Sequence, residues 1–104
     1  MISTFIIKTS NMEVQHSNDT KGGFFHIEEN GNQIGKMTYV WAGETKFIID
    51  HTEVNPSHEG KGIGKLLVAA AVEYARANHF KIVPLCPYAK RVLTKTDEYQ
   101  DILF

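Results

Sequence analysis

Cysteine occurs once in the 104 residues, at Cys86, which forbids an internal disulfide and points to a reducing compartment. Proline is nearly as sparse, at Pro56, Pro84 and Pro87. No apolar run approaches the roughly 18 residues a membrane span needs; the N-terminus offers only Phe5-Ile6-Ile7. An excess of one charge sign is missing too. Lys+Arg number 11 and Asp+Glu 12, for a net charge of −1. Residues 1–52 hold four cations and six anions, and residues 53–104 hold seven and six. Neither half has a basic surplus of more than one charge, so neither nucleic acid nor a membrane is an expected partner, and the expectation is a soluble, cytoplasmic protein. What is present, 42% hydrophobic and 22% charged residues, is an ordinary globular composition without repeat or linker. It predicts one domain over 1–104.

Two strand-like runs, 24–28 and 33–41, flank Glu29-Asn30-Gly31-Asn32, and Asn-Gly between such runs signals a tight hairpin. A second loop over 42–45 leads to a strand from Lys46 to Val54. Strict alternation there puts Phe47, Ile49, His51 and Glu53 on one face and Ile48, Asp50, Thr52 and Val54 on the other. Apolar groups on both faces near its start suggest a central strand covered on both sides. After Asn55-Pro56-Ser57 the period changes. Ile63, Leu66, Leu67, Ala70, Ala71, Tyr74 and Ala75 recur at three- and four-residue spacing, which predicts a helix from Ile63 to about Asn78 packed on a sheet. Lys81 to Cys86 reads as a short strand. Pro84 and Pro87 cannot donate ladder hydrogen bonds, so a gap in the sheet is implied on at least one side. Tyr88–Leu93 and Glu98–Leu103 read as one or two short helical segments.

Between the central strand and the long helix stands Glu59-Gly60-Lys61-Gly62-Ile63-Gly64. Glycines at a helix start let an anion approach unpaired main-chain amides, and Lys61 and Lys65 offset Glu59, so a diphosphate fits. The spacing excludes the Walker loop, which needs Gly at 59 and Ser or Thr at 66, where Glu59 and Leu66 stand. It also excludes the dinucleotide pattern, since Lys65 occupies its last glycine. Taken alone, the turn fits tight helix–sheet packing as well as phosphate binding.

The stretch from Val54 to Leu67 resembles the acetyl-coenzyme-A-binding segment of the GNAT superfamily of N-acetyltransferases, whose pattern is Arg/Gln-x-x-Gly-x-Gly/Ala. Glu59 departs from it. A small branch of short stand-alone GNAT-like proteins shares that departure. In it Asp50-His51-Thr52-Glu53-Val54, the Glu-Gly-x-Gly-Ile-Gly turn, Val83-Pro84-x-Cys86-Pro87 and Glu98-Tyr99-x-Asp101 occur in this order, and the resemblance spans roughly 24–103. It implies a reduced GNAT α/β (α+β) fold: a mixed, mostly antiparallel sheet with a V-shaped parallel splay, flanked by a long helix and short C-terminal helices. The pantetheine arm of acetyl-CoA would lie in the splay, with its pyrophosphate on the helix start. The implied cofactor-binding residues are Val54, His58, Glu59, Gly60, Lys61, Gly62, Ile63, Gly64, Lys65, Pro87 and Tyr88.

Acetyl transfer from a thioester needs a polarised carbonyl, an unprotonated amine and a proton for the departing thiolate. By the resemblance, a backbone N–H near Val54 holds the thioester oxygen, and Cys86 across the crevice accepts the acetyl group or donates a proton. Both roles stay open. An ordinary thiol is only a few per cent thiolate at pH 7, so Cys86 needs help. His51 on the neighbouring strand is the candidate partner, and Glu53 is an alternative base. Either His51 or Cys86 also fits a structural role, Cys86 as a small buried hydrophobe. Lys90 and Arg91, beyond Tyr88, can reach coenzyme A phosphates or sit on the surface. Tyr39, Trp41 and Phe47 read as core. His16, His26 and His79 are too scattered to predict a metal. The expected activity is transfer to a primary amine of a small molecule or a protein. The alternative is a non-catalytic coenzyme A binding or sensing module, and a thiol-redox role lacks a resolving cysteine.

Overall fold

Asn30 and Gly31 both take positive φ, 53° and 81°, as the central residues of a type I′ turn do, and this twist matches that of the strands it joins. The turn links β3 (Gly22–Glu29) to β4 (Asn32–Trp41), and residues 42–45 lead into β5 (Lys46–Val54). Both hairpins lie where the sequence predicts them. The computed structural model describes residues 3–9 and 12–104, with side chains from residue 13 onward. It adds two strands that the sequence does not announce, β1 (Ser3–Thr9) and β2 (Met12–Asn18). Phe5-Ile6-Ile7 falls in β1, and its side chains lie outside the described ones. Among the described residues, six strands follow chain order across one sheet. Every neighbouring pair is antiparallel except β5 with β6 (Lys81–Pro84), which run parallel. This is the mixed sheet of the expected α/β fold.

The second strand escapes a sequence scan because its inward face carries a histidine. Val14 and His16 are both fully buried. His16 stacks on Phe25 with ring centroids 4.1 Å apart, and its Nε2 lies 2.6 Å from the Tyr39 hydroxyl. Asn18 Nδ2 donates to the hydroxyls of Tyr39 and of Tyr74. One polar chain therefore ties β2 to β4 and to the helix above them, and its hydrogen bonds offset the cost of burying its members.

That helix, α1 (Ile63–Asn78), has the predicted limits. Gly62 precedes it and His79 follows it, both left-handed, and the His79 N–H closes the last turn onto Ala75 and Arg76. Ile63, Leu67, Val68, Ala71, Val72 and Ala75 form its buried face, packed over Phe25, Ile27, Met37, Tyr39, Phe47, Ile49 and Ile82. Each fully buried large aliphatic contributes roughly 1.5–3 kcal/mol. The strand β5 is covered differently from expectation. Phe47 and Ile49 are fully buried, whereas Ile48 on the other face is half-buried, so full packing is one-sided.

Helix α2 (Pro87–Lys95) starts with Pro87, whose missing N–H is harmless in a first turn, and packs on α1, β5 and β6. The helical segment expected over 98–103 is replaced by a single 3₁₀ turn, Asp97–Tyr99. Ile82 N–H then donates to Ile102 O, and Phe104 N–H to Ile82 O, so Leu103 bridges Ile82 in parallel. Pairing the outer edge of β6 satisfies backbone groups that a helix there would leave open. Arg76 grips the same tail through both Asp101 carboxylate oxygens, at 3.0 and 2.8 Å. No helix of the described residues is long and apolar enough to cross a membrane.

Burial pushes the His16 pKa down to about 4, against roughly 6.5 in the unfolded chain. The unfolded state therefore binds more protons between these values, and His16 costs stability as pH falls from about 6.5 to about 4, by at most about 1.4 kcal/mol per pH unit. Urea midpoints measured across that window are expected to fall with pH, and His16→Gln, which still hydrogen-bonds but does not titrate, should flatten the slope. Equal slopes in the two proteins would show that His16 does not set acid stability.

Candidate active site

The parallel ladder between β5 and β6 runs from Lys46↔Lys81 to Ile49↔Pro84 and stops there. Pro84 ends the strand two residues earlier than the predicted Cys86. The amides of Leu85 and Cys86 both donate to the Ile49 carbonyl at 3.0 Å, which turns the chain out of the sheet and into α2. Beyond Ile49, β5 keeps β4 as its paired neighbour and its other edge opens. This is the splay that the prolines imply.

At the same point β5 carries a bulge. Thr38 faces His51 and Tyr39 faces Ile49, so Asp50 is an extra residue. A one-residue insertion reverses the alternation of everything after it. Thr52 and Val54 therefore face the groove beside α1, while His51 and Glu53 point away from it. The main chain is re-aimed as well. Asn55 N–H donates to Ile34 O at 2.8 Å, so the two-residue alternation turns the Glu53 amide towards β4 and the Thr52 and Val54 amides towards the open edge.

Asn55 Oδ1 accepts from the Ser57 amide and caps a 3₁₀ turn, Pro56–His58. The His58 ring sits between Ser57 Oγ at 2.9 Å and Glu29 Oε1 at 3.1 Å, tying the turn to the β3–β4 hairpin. Gly60 and Gly62 then take φ of 83° and 78°, and a Cβ on either would meet nothing within 4 Å. These two positions need glycine for their conformation, and they leave open space in front of the helix start. The first bond of α1 runs from Leu66 N–H to Gly62 O, so the Ile63, Gly64 and Lys65 amides precede any helical partner.

A groove of about 500 Å³ joins this turn to the open edge of β5. It brings together nine of the eleven predicted cofactor residues: Val54, His58, Glu59, Gly60, Gly62, Ile63, Gly64, Lys65 and Tyr88. Tyr88 closes it from α2, so near α1 that a Cβ on Gly64 would lie 2.6 Å from its hydroxyl. Lys61, exposed on the turn, and Pro87, at the first position of α2, do not line it. Thr52 lines it and was not predicted.

Cys86 is 6% exposed and flanks α2 at its N-cap. Its Sγ lies 3.4 Å from Thr52 Oγ1. Burial pushes the thiol pKa up, but the Ala89 amide, the Thr52 hydroxyl and the Tyr88 and Thr52 amides favour the thiolate, and the balance falls below the ordinary thiol value. The sulfur makes no full capping hydrogen bond to α2; the helix acts on it through nearby amides and its dipole. His51, the expected partner, is not brought to Cys86. Its side chain is 64% exposed, with Nε2 3.6 Å from Glu53 Oε2. The bulge at Asp50 is the reason, and a missed sign of it is the shift of apolar character from Phe47 and Ile49 to Val54, which breaks the period of two. No group of three or more His, Cys, Asp or Glu able to hold a metal occurs among the described residues.

No curated protein matches the chain at a significant level. The solution structure of a GCN5-like protein from Staphylococcus aureus is 36% identical, over 92% of this chain and 91% of that one, with a TM-score of 0.71. A ribosomal-protein-alanine N-acetyltransferase from Brucella melitensis biovar Abortus 2308 shares the fold at 21% identity, over 74% of this chain and 62% of its own length, with a TM-score of 0.63. An aminoglycoside N-acetyltransferase solved with CoA shares it at 16% identity, over 84% and 75% of the two chains, with a TM-score of 0.56. The family model described as GCN5-related N-acetyl-transferase matches residues 24–102, and the chain therefore belongs to this family of acetyltransferase enzymes.

Proposed function

We propose that the protein transfers an acetyl group from acetyl-CoA to a primary amine on a small molecule or a protein, residues 1–104 acting as one catalytic domain. The observation that carries this is the single groove joining the glycine turn at α1 to the unpaired edge of β5. At one end the Ile63, Gly64 and Lys65 amides and the positive end of the α1 dipole receive the pyrophosphate, with Gly60 and Gly62 leaving room for it. At the other end the Val54 N–H, turned to the open edge, donates to the thioester oxygen and stabilises the charge that grows on it. The free thiol of Cys86 suits a reducing compartment such as the cytoplasm.

The Cys86 sulfur lies 3.4 Å from the Thr52 hydroxyl on the groove wall, among donors that favour its thiolate, and Cys86 is assigned as the acyl carrier. Its thiolate bonds to the acetyl carbon as the bond from that carbon to the coenzyme sulfur breaks, and coenzyme A departs as a thiolate. The acceptor amine then bonds to the same carbon. The Cys86–acetyl bond breaks, and the proton lost by nitrogen goes to the coenzyme thiolate or to water. The acceptor enters an open groove, which suits a flexible, protruding amine.

Intact mass measured after incubation with acetyl-CoA is expected to show one added acetyl group on the wild type and none on Cys86→Ser. A wild-type protein that turns over without an adduct, with Cys86→Ser equally active, contradicts the covalent route. Binding without adduct or turnover would instead favour a coenzyme A sensing module. In Gly62→Val a branched side chain meets a left-handed backbone at the mouth of the groove, and acetyl-CoA affinity measured by calorimetry should fall by at least about tenfold. Undiminished affinity would remove the turn from the binding site.

A further inference from the structure

Thr52 is the one groove-lining side chain that reaches the Cys86 sulfur by a hydrogen bond, and its orientation depends on the bulge at Asp50. Without the extra residue Thr52 would face the outer side of the sheet. Cys86 is fixed from two directions already: its amide is anchored to Ile49 O at 3.0 Å, and its carbonyl accepts from Lys90 N–H at 2.9 Å in the first turn of α2. Those bonds set its backbone and do not by themselves fix χ1. Thr52 supplies the missing constraint. Threonine is branched at Cβ and therefore stiff at χ1, so its hydroxyl marks a defined point on the groove wall. A hydroxyl both donates and accepts, so it serves the sulfur in either form: it accepts from the thiol and donates to the thiolate.

We infer that Thr52 is a positioning residue, which holds the buried Cys86 sulfur against the groove wall that Thr52 itself forms and acts on acyl transfer through Cys86. This rests on the assignment of Cys86 as acyl carrier. Titratable side chains nearby offer no substitute. On β5, His51 and Glu53 turn outward, and on α2 the Tyr88 hydroxyl lies beside Gly64. In the transfer itself Thr52 forms and breaks no covalent bond. Its hydroxyl hydrogen follows the charge, bonded to sulfur while Cys86 is a thiolate and released when the acetyl thioester forms.

Thr52→Val keeps the shape of the side chain and removes the hydroxyl; Thr52→Ser keeps the hydroxyl. Two rates at Cys86 read the effect on folded protein: alkylation by iodoacetamide as a function of pH, and acetylation by acetyl-CoA followed by intact mass. Wild-type alkylation is expected to have a midpoint below that of free cysteine. In Thr52→Val the midpoint should rise by up to about one pH unit and acetylation should slow about tenfold, as loss of one hydrogen bond to a charged group predicts. In Thr52→Ser both should return most of the way. An unmoved midpoint and an unchanged acetylation rate in Thr52→Val overturn the inference, as does a loss that serine fails to rescue. The alkylation profile needs no acetyl donor. A midpoint that moves in a protein which never gains an acetyl group would therefore sink the acyl-carrier assignment while sustaining the role of Thr52 towards the sulfur.

Discussion

The parallel ladder between β5 and β6 ends after four residue pairs, at Ile49 and Pro84, and the rest of the site depends on that interruption. A longer ladder would bury the edge of β5 from Asp50 to Val54 and leave no crevice next to the helix start. Two features enforce the stop. Pro84 has no N–H to continue the pairing, and the Leu85 and Cys86 amides converge on one carbonyl, Ile49 O, where a regular ladder would use two. The sheet opens where the chain must leave it to begin α2.

The bulge at Asp50 gives the opening its chemistry. It aims the Thr52 and Val54 amides at the open edge and moves their side chains to the helix side. A strand without it would present His51 and Glu53 to the groove and face the backbone oppositely. Unpaired amides on an open edge weaken a sheet unless water or a ligand satisfies them, so the loss must be offset elsewhere. The polar chain of His16, Tyr39, Asn18 and Tyr74 locks β2 and β4 to α1, and the tail pairs with the outer edge of β6. The result is a thin body, with extents of 35 × 34 × 21 Å, in which one long helix both covers the sheet and presents its N-terminus to the crevice.

Much of this is legible in the sequence where local rules act alone. Asn30-Gly31 fixes a turn whatever surrounds it. The stripe from Ile63 to Ala75 marks α1 from Ile63 to about Asn78, and two prolines around Cys86 imply the gap. The order strand, turn, helix reveals the glycine turn, and the resemblance to the GNAT superfamily implies nine of the ten residues that line the groove. What the sequence hides is set by partners distant along the chain. The β2 strand looks polar because His16 is buried by partners distant along the chain, Phe25, Tyr39 and Tyr74. The tail looks helical because nothing in Glu98–Leu103 reveals that Ile82 needs a neighbour. The pairing of His51 with Cys86 is a fair inference from strict alternation, and it fails because a bulge is a property of two strands in register. Thr52 is hidden for the same reason: read at period two, it belongs to the outer face.

The central claim is that one groove receives coenzyme A, with its phosphates on the start of α1 and its thioester at the open edge of β5. Amide chemical shifts followed by two-dimensional nitrogen–proton NMR during titration with acetyl-CoA test it directly. The account predicts that the largest changes fall on the amides of residues 60–65 and on those of Thr52 and Val54, all saturating together. Changes confined elsewhere, for example to the hollow between Asp19 and Val40 at the far end of the sheet, or no change at all, would contradict it.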